Sequence, residues 1–137
     1  MDAFDAGALI YAATPGHVLG ERVRRLFDEH DADGPVGLGS VLLLPEVLSR
    51  YVRGADPEDE AAMLGLLERL DVRPVDAPIA QLATAFRATH GLKTVDAVHL
   101  ATAVRAGADR FITNNQRDFS ASIEEVDIVY PEDLPDP

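Results

Sequence analysis

Four acidic residues fall where they could work together: Asp5, Glu46, Asp96 and Asp118. Each lies just past a stretch with strand character or near the start of a helical one. In an open α/β sheet that is the side where sites form. Four carboxylates converging there would repel one another strongly unless a cation sat between them. Oxygen donors alone select a hard ion, Mg²⁺ or Mn²⁺, over zinc. Such an ion lowers the pKa of a coordinated water and steadies the charge building on a scissile phosphate. Two ions about 3.5–4 Å apart can clamp both the attacking and the leaving oxygen. Phosphodiester hydrolysis by in-line water attack is the chemistry this residue set suits best.

A plainer reading stands beside that one. With 24 acids in 137 residues, several reach helix starts by chance, and an acid in a first turn is ordinary dipole complementation. Glu46 is the most telling, because it sits among Leu43, Leu44, Val47 and Leu48. A carboxylate there needs a partner, and Arg50 at i+4 could supply it.

The elements that must position these acids can be read from periodicity and from chain breakers. Residues 1–5 read as a short strand ending in Asp5, followed by a helix over 6–13. Pro15-Gly16 interrupts, 17–31 is helical through Val18, Val23, Leu26 and Phe27, and 31–35 is a polar loop. Residues 36–38 form a second strand. Ser40 stands where an N-cap belongs, and the next helix, over 44–51, either kinks or starts at Pro45. Pro57 with Glu58, Asp59 and Glu60 opens another helix, with Met63, Leu66, Leu67 and Leu70 as its core stripe. Residues 72–75 are a short strand or an extended link. Ile79, Leu82, Ala83 and Phe86 mark a helix that Gly91 ends. Thr94 is expected to cap the helix over 95–106, which Gly107 stops. Residues 110–113 are a strand, 114–119 a loop and 126–130 a last strand. Short strands alternating with helices predict a parallel sheet of about four or five strands, covered on both faces.

Bulk composition narrows the setting. The length is that of one domain spanning 1–137, and 47% hydrophobic with 26% charged residues is a globular balance. With no cysteine, thiol chemistry, zinc–thiolate sites and disulfides are excluded. No apolar run approaches the roughly 18 residues of a membrane helix, and no signal-peptide layout is present, so a cytoplasmic protein is expected. The net charge of −12 argues against gripping nucleic acid by bulk electrostatics. Yet of the 12 basic residues only Lys93 is a lysine, and arginine is the type suited to phosphate.

Four segments carry a resemblance. The stretch Ala3-Phe4-Asp5-Ala6-Gly7-Ala8-Leu9-Ile10 resembles the opening strand and helix of PIN domains. Leu44-Pro45-Glu46-Val47-Leu48, with Ser40 ahead of it, is similar to their second motif. Thr94-Val95-Asp96-Ala97-Val98-His99-Leu100-Ala101-Thr102-Ala103 resembles the third, and Phe111-Ile112-Thr113-Asn114-Asn115-Gln116-Arg117-Asp118-Phe119 the fourth. In order and spacing they span nearly the whole chain. The resemblance is to VapC-type toxins. It implies a three-layer α/β/α fold, Mg²⁺-dependent endoribonuclease activity (Mn²⁺ as a possible substitute), an RNA substrate, a homodimer and an antitoxin partner. It implies Asp5, Glu46 and Asp96 as the acidic core and Asp118 as the fourth member, with Thr113 and Asn115 in support. Cleavage by this route should leave a 5′-phosphate and a 3′-hydroxyl. Two positions depart from the pattern: Ala6-Gly7 offers no hydroxyl after the first acid, and Asn115 stands where many members have Asp.

Arg50 and Arg53 follow Glu46 at i+4 and i+7, on a stripe that could face RNA phosphates. Lys93 and Arg117 flank two of the motifs. A helix histidine such as His99, three residues after Asp96, is more often a packed residue than a ligand. Two rival functions follow from the same residues. A non-catalytic PIN-like interaction module would hold a weak ion or none. A phosphoacceptor signalling domain wants a strand-end lysine, whereas Lys93 lies between two helices.

Overall fold

The computed structural model describes residues 1–54 and 56–137. Five strands run in chain order as β1 (Asp2–Phe4), β2 (Gly37–Ser40), β3 (Leu70–Arg73), β4 (Arg110–Ile112) and β5 (Asp127–Val129). Six α-helices connect them: α1 (Ala6–Ala13), α2 (Val18–Asp28), α3 (Leu43–Val52), α4 (Pro57–Leu67), α5 (Ala77–His90) and α6 (Thr94–Arg105). The strands form one sheet in the order β3-β2-β1-β4-β5, and every pairing is parallel. The expected three-layer α/β/α architecture is therefore present, with five strands.

Alternation along the strands divides the core. Ala3 and Phe111 face one side of the sheet, with α5 and α6. Phe4 and Ile112 face the other, with α1, α2, α3 and α4. The strand order reverses between β1 and β4, so the ends of these two central strands open a crevice at the switch point. Asp5 follows β1 directly and Thr113 follows β4. No helix of the described residues is long and apolar enough to cross a membrane.

Several boundaries differ from the sequence expectation for identifiable reasons. The third strand begins at Leu70, because Gly37↔Leu70 through Ser40↔Arg73 is the register that pairs it with β2. Leu70 thus leaves the helical stripe of Met63, Leu66 and Leu67 while staying buried with them. Ser40 does not cap α3. Its Oγ accepts from Leu42 N at 3.1 Å, and the helix begins at Leu43. Pro45 then falls within the first turn, where no backbone N–H is missed. The expected cap of α6 also moves one residue. Lys93 is the N-cap, and the Thr94 hydroxyl accepts instead from Arg87 Nη1 at 2.9 Å. Gly91, at φ 66°, closes α5 in the left-handed conformation as expected.

Gly20 fixes how closely α2 approaches α1. A Cβ there would lie 1.9 Å from Tyr11 O and 2.5 Å from Tyr11 C, both backbone atoms. Gly20→Ala would gain about 1 kcal/mol of helix propensity. Pushing two packed helices apart costs up to about 3 kcal/mol, so the clash wins. The variant should unfold at lower urea concentration than the wild type, and an unchanged midpoint would refute the contact.

Candidate active site

The crevice is built from the ends of β1 and β4 and the starts of α1, α3 and α6. Asp5 is the N-cap of α1: its Oδ1 accepts from Ala6 N at 2.9 Å. Its Oδ2 accepts from Thr113 Oγ1 at 2.8 Å. Asp5 N donates in turn to Ile112 O at 2.9 Å, joining the two strand ends. Thr113 also accepts from Asn115 N at 3.1 Å. The hydroxyl absent at Ala6 and Gly7 is thus supplied to Asp5 across the sheet. Gly7 leaves room for the Asn114 side chain: a Cβ would lie 2.0 Å from Asn114 Oδ1, which would have to move aside.

The fourth-motif loop closes on itself. Asn115 Nδ2 donates to Asp118 Oδ2 at 2.9 Å, and Asp118 N donates to Asn115 Oδ1 at 3.2 Å. Asn115 therefore aims the Asp118 carboxylate through a hydrogen bond that an aspartate could not donate.

Glu46 lies in the first turn of α3. It is not buried among the leucines, since its side chain keeps 37% of its exposure. Leu43 and Val47 take the core side of the helix. Nor is Arg50 its partner; that guanidinium lies over the Tyr51 ring, 5.6 Å from the centroid. Glu46 Oε1 pairs with Nε2 of His99. This pairing links positions 53 apart, which periodicity cannot see, and the sequence reading of His99 as a packed residue missed it. The available signal was a polar ring in a run of apolar residues.

Asp96 occupies the first turn of α6 and is half-buried. Burial pushes its carboxyl up to about 6, helped by the negative charges of Asp5, Asp118 and Glu46 and opposed by His99. The Asp5 carboxyl is also raised, chiefly by burial, against the pull of His99, Thr113 and Ala6 N. Asp96 therefore feels the other three acids across the crevice. Among the described residues, no three acid or imidazole side chains close around a single point. Three of the acids are turned instead to protein donors, Asp5 to Thr113, Glu46 to His99 and Asp118 to Asn115. No hydrogen bond contributes to the Asp96 shift, only burial and charge.

The sequence-selected cations share elements with three of the acids. Arg50 and Arg53 are exposed on α3 and at its end, Lys93 is exposed at the cap of α6, and Arg117 is exposed in the Asp118 loop. Among the described residues none of the four enters a salt bridge. Arg22, Arg25, Arg73 and Arg110 each do.

Known proteins share this frame. Over 61 residues the chain is 43% identical to "Ribonuclease VapC35" from two strains of Mycobacterium tuberculosis, a stretch covering 44% of this chain. The chain spans 44% of the length of those curated relatives. Among solved structures, a toxin–antitoxin complex from Klebsiella pneumoniae matches with TM-score 0.71 at 23% identity, covering 96% of this chain and 98% of that one. VapBC2 from Rickettsia felis, bound to a promoter DNA fragment, matches with TM-score 0.71 at 14% identity over 94% and 97% of the two chains. VapC20 of Mycobacterium tuberculosis, described as a sarcin–ricin loop cleaving toxin, matches with TM-score 0.67 at 19% identity over 93% and 99%. At these identities the structural matches speak for the fold. Residues 3–122 match the family model of the PIN domain, a span that runs through β1, all four acids and β4. The chain belongs to the PIN domain family.

Proposed function

We propose that this protein is a metal-dependent endoribonuclease, the toxin of a type II toxin–antitoxin pair. One observation carries the reading. Asp96 is half-buried with no hydrogen-bond donor behind its shift, and its carboxyl is driven up by that burial and by three other carboxylates at the same crevice. Packing alone does not explain why four acids share one end of a sheet; a cation does. The donors are all carboxylate oxygens, which fits Mg²⁺ or Mn²⁺. Asp5, Glu46 and Asp96 would hold the ion and Asp118 would complete the set, whether for one ion or two. The ion would supply an activated water and charge stabilisation at the scissile phosphate.

The chain's own groups do the rest. Thr113 keeps the buried Asp5 carboxylate oriented toward the crevice. Asn115 holds Asp118 where its free oxygen can orient a water. Arg50, Arg53, Lys93 and Arg117, free of salt bridges among the described residues, offer RNA phosphates a local cationic rim on a chain of net charge −12. The resemblance to a named ribonuclease, and the fold shared with structures of toxin–antitoxin complexes, support the substrate class and the antitoxin partner. The reading includes a homodimer acting in the cytoplasm.

Purified protein incubated with RNA tests this directly. Cleavage is expected with Mg²⁺ or Mn²⁺, leaving 5′-phosphate and 3′-hydroxyl ends, and none is expected in EDTA. Intact RNA in every lane, together with no heat of metal binding by calorimetry, would instead establish the non-catalytic interaction module.

A further inference from the structure

We propose that His99 is a positioning residue whose Nε2 tethers Glu46 so that the glutamate stands ready to bind the ion. The proposal rests on the metal-dependent reading of the site. His99 is only 2% exposed, in a stretch of α6 where residues 97–103 are all buried. An imidazole there gives up its hydration and must be compensated. Among the described residues its one hydrogen bond is to Glu46 Oε1. Its Nδ1 is buried with no partner among those residues. A histidine retained only for packing would be expected to satisfy both nitrogens, or to be replaced by leucine at no loss. Among the described residues Glu46 is therefore the one polar partner of this ring.

Nε2 faces a carboxylate, so it carries the proton and donates. The geometry serves Glu46 more than His99. Glu46 projects from an exposed helix face, where a glutamate samples many rotamers and loses that freedom on ligating an ion. A tethered glutamate has lost it already. Since His99 follows Asp96 by three positions, one face of α6 presents both an acid and the anchor for a second acid. Asp5 and Asp118 have their own anchors in Thr113 and Asn115. His99 is the corresponding anchor for the third.

Mn²⁺ binding measured by calorimetry on the full chain tests the assignment. His99→Leu should weaken Mn²⁺ about tenfold or more, the usual effect of removing a group that orients a ligand. His99→Gln, which keeps a donor near Nε2, should recover most of it. In a Glu46→Ala background neither change should alter affinity further. As a readout that leaves the buried ring intact, the Nε2–H signal of His99 in ¹⁵N-histidine-labelled protein should move on Mg²⁺ addition in the wild type and stay still in Glu46→Ala. Wild-type affinity in His99→Leu, or an equal loss in the Glu46→Ala background, would overturn the positioning role. A wild type that binds no Mn²⁺ would overturn the metal-dependent reading itself.

Discussion

Asp96→Asn should abolish RNA cleavage while leaving the protein at least as stable as the wild type. The two halves of this expectation share a cause. The Asp96 carboxyl is pushed up to about 6 by burial and by Asp5, Asp118 and Glu46. At neutral pH the folded protein therefore holds this charge against its surroundings, and an isosteric neutral amide relieves the repulsion. The same substitution removes one anionic donor from the set proposed to hold the ion. Loss of one preorganised electrostatic group typically costs about 10²–10³-fold in turnover, and a missing ligand should cost no less. Initial rates on a labelled RNA and a thermal melt in EDTA measure both halves. Asp31→Asn, in a loop remote from the crevice, is the control. Retained cleavage would refute the assigned role of Asp96. Lost cleavage with a marked fall in melting temperature would mean that the charge is structural.

The parts of this site that were legible in the sequence are those set by local pattern. Asp5 follows two apolar residues whose alternation puts Ala3 and Phe4 on opposite faces of the sheet. That is how a strand announces its end and its side. Asp96 opens a helix that Gly107 closes, and Asp118 sits in the loop after a strand. Each of these needs only its neighbours to be placed. The order of the sheet follows from connection rules, and the switch point between β1 and β4 then brings the three acids to one end.

What stayed hidden depends on partners far along the chain. Glu46 reads as a carboxylate among leucines that wants Arg50, yet the helix turns it outward to meet His99. Within Val98-His99-Leu100 an imidazole obeys the same burial pattern as a methyl-bearing core residue, so spacing cannot tell an anchor from a filler. The cap of α6 shifted because Thr94 gives its oxygen to Arg87 from the preceding helix. The start of β3 moved because the register with β2, not hydropathy, decides where pairing begins. Hydroxyl partners behaved alike. Thr113 serves Asp5 over a separation of 108 positions, a bond that exists only because β1 and β4 are neighbours.

Proton and metal should compete for the same carboxylates, and that competition should be visible in stability alone. Asp96 moves from 3.8 in the unfolded chain to about 6 in the folded one. Between those values the folded state binds more protons than the unfolded state, so stability falls as pH rises from about 4 to about 6. Asp5, raised in the same direction, adds to the trend. The Asp96 shift alone corresponds at face value to about 3 kcal/mol; for a half-buried group, screening by solvent reduces this to about 1–2 kcal/mol. An ion bound among the acids reverses the balance above that window, where it finds the carboxylates charged, and contributes about 2.7 kcal/mol at a hundredfold excess over its dissociation constant. At pH 5 it must first displace protons. Mg²⁺ should therefore raise the melting temperature by roughly 5–10 °C at pH 7.5, on a scale of a few degrees per kcal/mol for a chain of this length, and by much less at pH 5. In Asp96→Asn the difference between the two pH values should shrink. A Mg²⁺ gain of equal size at both pH values in the wild type would show that the ion binds away from these acids, and no gain at either would remove the ion from the site altogether.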